Sequence, residues 1–230
     1  MYDNIIFIPY RDREEHLKYI MKHYIPLIRD NLPNTKIVIL EQMEGKMFNR
    51  GKLLNVGFNE FRNRTRFFMT NDIDTIPNKY QVKKNYSEES HKIYGIYCGH
   101  CKSLGGILKI EHDTLFSING FPNNIWGWGI EDRALFHRAK IRGFEIKHYY
   151  NKASAKQHED YTILKHKKTM EVYSNKKLEL SEMWKDNYIN NLCKKDKEKL
   201  VTYSGVNNIE YNIVSKKSIN DFVDIYKIEL

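Results

Sequence analysis

The sequence predicts an α/β fold: a central, mostly parallel sheet flanked by helices. Three observations carry that prediction. Apolar runs of strand length recur at residues 5–9, 36–41 and 66–70. The intervals between them hold apolar residues at helical spacing, with turn residues at the junctions. A strand–helix–strand–helix–strand order implies parallel strands joined by right-handed crossovers.

Residues 5–9 read as a buried first strand ending at Pro9. Asp12, with Glu15 three positions on, matches a capping box. Leu17, Ile20, Met21, Tyr24, Leu27 and Ile28 give the next helix its stripe, which Pro26 should interrupt. Arg11 and Arg13 then lie just beyond the carboxyl end of a strand. Ligands of open α/β sheets bind there, and arginines suit a phosphate; surface pairing with Glu14 and Glu15 explains them equally well. The second strand, 36–41, leads through the turn Phe48-Asn49-Arg50-Gly51 to a helix carrying Leu54, Gly57, Phe58 and Phe61. The third, 66–70, runs into Asn71-Asp72-Ile73-Asp74, closed by Pro77. Two acids at i and i+2 after a central strand suit Mn²⁺ or Mg²⁺ bridging a diphosphate, although a solvated turn has the same pattern.

Residues 78–91 are polar and read as a mobile loop; 92–98 and 107–110 read as strands, with Gly105-Gly106 marking close approach of backbone to ligand. A short helix is expected over 112–118. The stretch 121–138, FPNNIWGWGIEDRALFHR, organises the rest. Trp126 and Trp128 alternate with Gly127 and Gly129 and lead into Glu131 and Asp132, which open a helix. Ile130, Ala134 and Ile141 mark its apolar face, and Arg133, His137 and Lys140 the opposite one. Carboxylates at a helix N-terminus meet the positive end of the dipole. An aromatic wall beside a positioned carboxylate is how a sugar site with a general base is built. A strand at 145–150, the histidines His158 and His166 within 156–170, a helix at 170–190 and strands at 209–214 and 223–228 complete the chain.

Composition bounds the rest. The chain has 230 residues, 41% of them hydrophobic, and a net charge of +9, which fits one globular domain, 1–230, with an anionic partner or substrate. The basic residues are scattered and no RNA-binding or zinc-finger signature accompanies them, so nucleic acid is not expected. No apolar run approaches the roughly 20 residues of a membrane span. The opening MYDNIIFIPYRDREE lacks a basic n-region and a long apolar run, so the expected location is cytoplasmic. Cys98 and Cys101 form C-x-x-C, but Gly105-Gly106 would break the long helix of a thioredoxin-like site, and Cys193 stands alone.

The motifs Ile8–Arg13 (IPYRDR), Phe48–Asn55 (FNRGKLLN), Asp72–Pro77 (DIDTIP), Gly105-Gly106, Asn119–Asp132 (NGFPNNIWGWGIED) and Gly205–Tyr211 resemble the β-1,4-galactosyltransferase family, the inverting enzymes of glycosyltransferase family 7. The resemblance implies an A-type, Rossmann-like glycosyltransferase fold, with 1–77 as the nucleotide-binding half and 78–230 as the acceptor half. It further implies a UDP-sugar donor, Mn²⁺, and a carbohydrate or glycoconjugate acceptor. Carried over by position, Pro9, Tyr10, Arg11, Arg13, Phe48 and Arg50 would hold the uridine end, with Asp72 beside them. Asp74 and His158 would bind Mn²⁺, Trp128 would contact donor phosphate and acceptor, Gly106 and Glu131 would lie against the donor sugar, and Asp132 would be the base. The WGWG segment and a loop near 152–170 would move.

Three departures follow from the same resemblance. Arg133 stands where many relatives place another acid, which leads us to expect an acidic or phosphorylated acceptor. Ser103 replaces a tyrosine that crowds the donor sugar, so UDP-N-acetylgalactosamine joins UDP-galactose as a candidate donor. Ala155 and Lys156 occupy the position of a further metal ligand. The rival readings are a basic binding module without turnover and a C-x-x-C redox protein.

Overall fold

The computed structural model describes residues 1–127, 129–149, 159–166 and 197–230. Its framework is an eight-stranded sheet in the order β7-β5-β6-β3-β1-β2-β10-β9. The strands are β1 (Tyr2–Tyr10), β2 (Thr35–Gln42), β3 (Thr65–Thr70), β5 (Ile93–Tyr97), β6 (Ile107–Glu111), β7 (Lys147–His148), β9 (Asn212–Asn220) and β10 (Val223–Glu229). A separate antiparallel pair joins β4 (Thr75–Pro77) to β8 (Tyr161–Ile163). The centre is parallel, with β1 between β2 and β3 and with β10 beside β2. Outside it β6 runs antiparallel to β3 and β5, and β9 antiparallel to β10, while the edge strand β7 is parallel to β5. The sheet is therefore mixed around the parallel core that the first three strands predict.

β1 and β2 read as unbroken apolar runs because both faces of the sheet are covered. Ile5 and Phe7 join Val38 and Leu40 in one core, and Ile6 and Ile8 join Ile37 and Ile39 in the other. The first core packs under α3 (Arg50–Glu60), α5 (His112–Ser117) and α6 (Glu131–Ile141). The second packs under α1 (Glu14–Tyr19) and α2 (Ile25–Asn31), which are joined by a π-helical turn over Ile20–Tyr24. Pro26 sits in the first turn of α2, where its missing N–H breaks no bond, so the interruption falls just before it.

Two sequence expectations are corrected here. Residues 78–91 are not a loop throughout. Helix α4 (Lys79–Gln81) continues into a π-turn, Val82–Tyr86, whose Val82 and Tyr86 are fully buried one turn apart. Polar Lys and Asn residues between them hide that spacing. Nor does Asp12 cap α1: it adopts a left-handed φ of 52°, the N-cap is Arg13, and no side chain caps the helix. Its carboxylate turns to Arg11 instead, 3.5 Å from Nε. The expected helix at 170–190 lies outside the described residues.

Candidate active site

The parallel strands β1, β2 and β3 open at their carboxyl ends on one side of the sheet, and the loops there carry the motif residues. Pro9 and Tyr10 form the last rungs of β1, opposite Leu40 and Glu41. Arg11 leaves the strand, donates from Nη1 to Lys46 O at 2.7 Å and lies 5.4 Å from the centroid of the Phe48 ring. Arg13 reaches back, its Nη1 3.8 Å from Asp74 Oδ2.

Arg50 joins the two halves of the site. Asn49 caps α3 by accepting the Lys52 N–H at 2.9 Å, which places Arg50 at the helix start. Arg50 Nε donates to Asp72 Oδ1 at 2.8 Å and Nη2 to Gly106 O at 3.4 Å. Its Nη1 lies 3.8 Å from Glu131 Oε1 and is buried without a hydrogen bond among the described residues. Burial works against the guanidinium's charge, but the Asp72 and Glu131 carboxylates outweigh it and hold the group above its ordinary pKa. Burial pushes the Asp72 carboxyl up; Arg50 opposes that, and Asp74 and Asp132 reinforce it. Burial, then the neighbouring Asp132 charge, pushes Glu131 to about 7 against the pull of Arg50. Three acids thus share one cation in a confined space.

Because β6 runs antiparallel to β3, its beginning lies at the end of β3, and Thr70 Oγ1 donates to Gly106 O at 3.1 Å. Gly106 has a φ of 64°. A side chain at Gly105 would place its Cβ 3.0 Å from Asp132 Oδ2, so only glycine admits the base so close to this strand. Leu104 N donates to Asp132 O at 3.0 Å, and Asp132 Oδ1 accepts the Arg133 N–H at 2.7 Å. Helix α6 is entered through Ile130, a β-branched residue at φ 80°. Ser103, read as a possible opening toward a larger donor, is buried, with its hydroxyl turned onto His100 O at 2.9 Å.

Much of the NGFPN segment supports rather than reacts. Asn55 grips Phe121 from both sides, accepting its N–H at 2.9 Å and donating to its carbonyl at 2.6 Å. Asn123 Nδ2 donates to Gly205 O at 2.8 Å, tying in the late Gly205–Tyr211 motif. Trp126 is partly buried against the core, with the ammonium groups of Lys46 and Lys52 5.6 and 5.9 Å from its ring. Trp128 and His158 lie outside the described residues.

The structure brings His166 to Asp74, its Nε2 2.8 Å from Oδ2. This follows from β4 pairing with β8: Thr75 faces Ile163, and Leu164 N donates to Asp74 O at 2.8 Å. No sequence spacing links 74 to 166, so sequence reasoning chose His158 and noted His166 only as a neighbour. One carboxylate and one imidazole form a donor set suited to Mn²⁺, and the orphaned Arg50 Nη1 nearby suits an anion. Among the described residues no cluster of three metal-capable side chains occurs.

Cys98 and Cys101 are free, the first buried and the second exposed. Burial pushes the Cys98 thiol far up and Asp132 adds to this, the opposite of what a reactive redox cysteine needs.

A model of the N-terminal region of glycosyl transferase group 7 matches residues 2–86, and one described as the N-terminal domain of galactosyltransferase matches residues 91–167. The chain belongs to glycosyltransferase group 7. Among curated members, bovine β-1,4-galactosyltransferase 1 is 36% identical over 149 residues, 61% of this chain and 37% of that protein. Human β-1,4-galactosyltransferase 4 is 34% identical over 61% of this chain and 43% of its own length. The chain thus spans well under half the length of these curated group 7 relatives. A solved Drosophila β-1,4-galactosyltransferase 7 mutant, in complex with manganese, UDP-Gal and xylobiose, superposes over 100% of this chain and 94% of its own with a TM-score of 0.76 at 22% identity. Staphylococcus aureus TarS shares the fold more distantly, at a TM-score of 0.53 and 14% identity. The architecture is that of group 7 and, more broadly, of A-type glycosyltransferases.

Proposed function

We propose that this chain is a Mn²⁺-dependent inverting glycosyltransferase that moves a hexose from a UDP-sugar to a sugar hydroxyl with β-linkage. Galactose or N-acetylgalactosamine is the donor sugar. The carrying observation is Arg50, one buried guanidinium that joins Asp72 at the end of β3, Gly106 at the start of β6 and Glu131 beside Asp132. It makes the nucleotide end and the base end of the cleft one site.

Each group then has a task. Arg11, Arg13, Tyr10 and Phe48 line the exit of β1 and β2, where a nucleotide diphosphate meets cationic and aromatic groups. Arg50 Nη1 offers an unspent N–H to that anion. Asp74 and His166 would hold the cation, which supplies charge neutralisation of the leaving diphosphate. Asp132, set against Gly105, takes the proton from the acceptor hydroxyl as that oxygen attacks the anomeric carbon in line. Glu131, raised toward neutrality, presents a carboxyl to the sugar's hydroxyls. Residues 1–77 form the nucleotide-binding half and 78–230 the acceptor half, in which Trp128 would help exclude water.

A panel of UDP-sugars with Mn²⁺, reading UDP release with and without simple glycosides, tests this. Asp132→Asn lowers transfer by about 10²–10⁴-fold while donor binding persists. Asp74→Ala and His166→Ala each weaken Mn²⁺ and UDP binding together. An unchanged rate in Asp132→Asn removes the base assignment; normal Mn²⁺ affinity in His166→Ala with loss in His158→Ala returns the metal to His158.

A further inference from the structure

Basic residues lie beside Asp132 on two elements of the chain. Arg133 follows the base directly, and His137 stands one turn later on the same face of α6. The loop between β5 and β6 brings a third basic residue to this rim. Leu104 N is bonded to Asp132 O at 3.0 Å and Gly105 lies against the Asp132 side chain, which places Lys102 next to the first turn of α6. That loop is locally fixed: Lys102 N donates to His100 Nδ1 at 3.0 Å, Ser103 N to His100 O at 3.2 Å, and His148 Nε2 lies 3.0 Å from Ser103 O. The two cations, Lys102 and Arg133, and the imidazole of His137 are therefore carried on two elements that are bonded to each other at the base itself.

Arg133 and Lys102 are exposed, and among the described residues neither has an ion pair, in a molecule whose other arginines at this site are all engaged. His137 senses both: burial lowers its pKa first, and the charges of Lys102 and Arg133 lower it further. Like charges gathered without a counter-ion cost free energy in the empty protein, and a bound anion repays it. The only acids on α6 are Glu131, which pairs with Arg50, and Asp132, the base itself.

We infer that Lys102, Arg133 and His137 form an acceptor subsite for an anionic group, a phosphate or a carboxylate, carried by the sugar whose hydroxyl is presented to Asp132. The inference rests on the transferase reading in one respect, that Asp132 faces the acceptor. The carboxylate of Asp132 is otherwise a poor neighbour for an anion; the two cations Lys102 and Arg133 offset it, and the neutral His137 ring adds a hydrogen-bonding group.

The test uses the intact chain and three methyl glycosides of one sugar series: N-acetylglucosamine, its 6-phosphate, and glucuronic acid. Calorimetric binding in the presence of UDP and Mn²⁺ should favour a charged glycoside about tenfold over the neutral one, and raised salt should shrink the preference. Whichever of phosphate and uronate binds tighter identifies the anion. Arg133→Glu and Lys102→Glu, both at exposed positions, should each abolish the preference, and Arg133→Lys should keep most of it. Equal binding of neutral and charged glycosides, or a preference that survives Arg133→Glu, overturns the inference. UDP release by the unmodified chain from a panel of UDP-sugars with Mn²⁺, read with the three glycosides as acceptors, separates the two ideas. Release without charge preference sinks only this subsite; preference without release sinks the transferase reading and leaves the subsite standing.

Discussion

Ile130 shows how far single residues decide this site. A β-branched residue at φ 80° is strained, because its Cβ crowds the following carbonyl in the left-handed region, at about 1–2 kcal/mol. Its side chain is nevertheless only 6% exposed, so packing holds it there. The strain lies one residue before Glu131 and two before Asp132, where it fixes the direction in which α6 begins. Substitution by glycine and by alanine both lose the buried side chain, but only glycine relieves the backbone. Ile130→Gly should therefore be more stable than Ile130→Ala by about 1 kcal/mol in urea unfolding; the reverse order would mean that the backbone here is not left-handed. The sequence announced the acids and the glycines around Ile130, because residue types with one strong use advertise themselves. It did not announce Ile130, whose type points away from its conformation. The same limit hid His166, a common residue type that matters only through its 2.8 Å approach to Asp74.

At the scale of elements, α6 is the piece that must be placed. The sequence gives its start, its acids and an apolar face through Ile130, Ala134 and Ile141. It conceals the anchor. Arg138 is fully buried, and it donates from Nη1 to Asn119 O and Gly120 O at 2.9 and 2.8 Å and from Nη2 to Ser204 O at 2.6 Å. Helix α6 is thereby pinned to the NGFPN segment and to the chain just before Gly205. Arg138→Met leaves three buried carbonyls without this donor and should lower stability by about 3 kcal/mol or more. Arg138→Lys, a point charge in place of a planar fork, should recover only part. Arg142, one turn later, pairs with Glu198 at 2.8 Å, but both side chains are well exposed, so Arg142→Met should cost less than about 1 kcal/mol. Thermal or urea unfolding of the three variants checks the ranking. Charged residues read as surface by default, and only a fold that surrounds Arg138 with carbonyls overturns that default. The turn Val82–Tyr86 failed to read as helix for the mirror reason: its buried pair is flanked by residues typical of loops.

For the molecule as a whole, the site is assembled from β1, the turn after β2, the end of β3, the start of β6 and the first turns of α3 and α6. A ligand that bridges them binds the folded state alone. UDP with Mn²⁺ at about 100 times the dissociation constant should add about 2.7 kcal/mol, or roughly 5–10 °C in melting temperature for a domain of this size. Mn²⁺ alone should do much less, since Asp74 and His166 are its only described partners, and chelation with EDTA should abolish the joint shift. Equal stabilisation by UDP with and without the cation, read by calorimetric melting, would detach the metal from the donor site.

By itself the sequence determined the α/β framework, the family motifs and the identities of the acids, because apolar periodicity and rare residue combinations are local properties of a chain. Only the tertiary structure decided that one arginine at the start of α3 holds Asp72 and Glu131 in a single cleft, that His166 touches Asp74, and that the loop carrying Lys102 is bonded to Asp132. Those facts depend on an antiparallel return of β6 beside β3 and on β8 pairing with β4, and hydrogen-bonded partners so far apart along the chain leave no spacing to read.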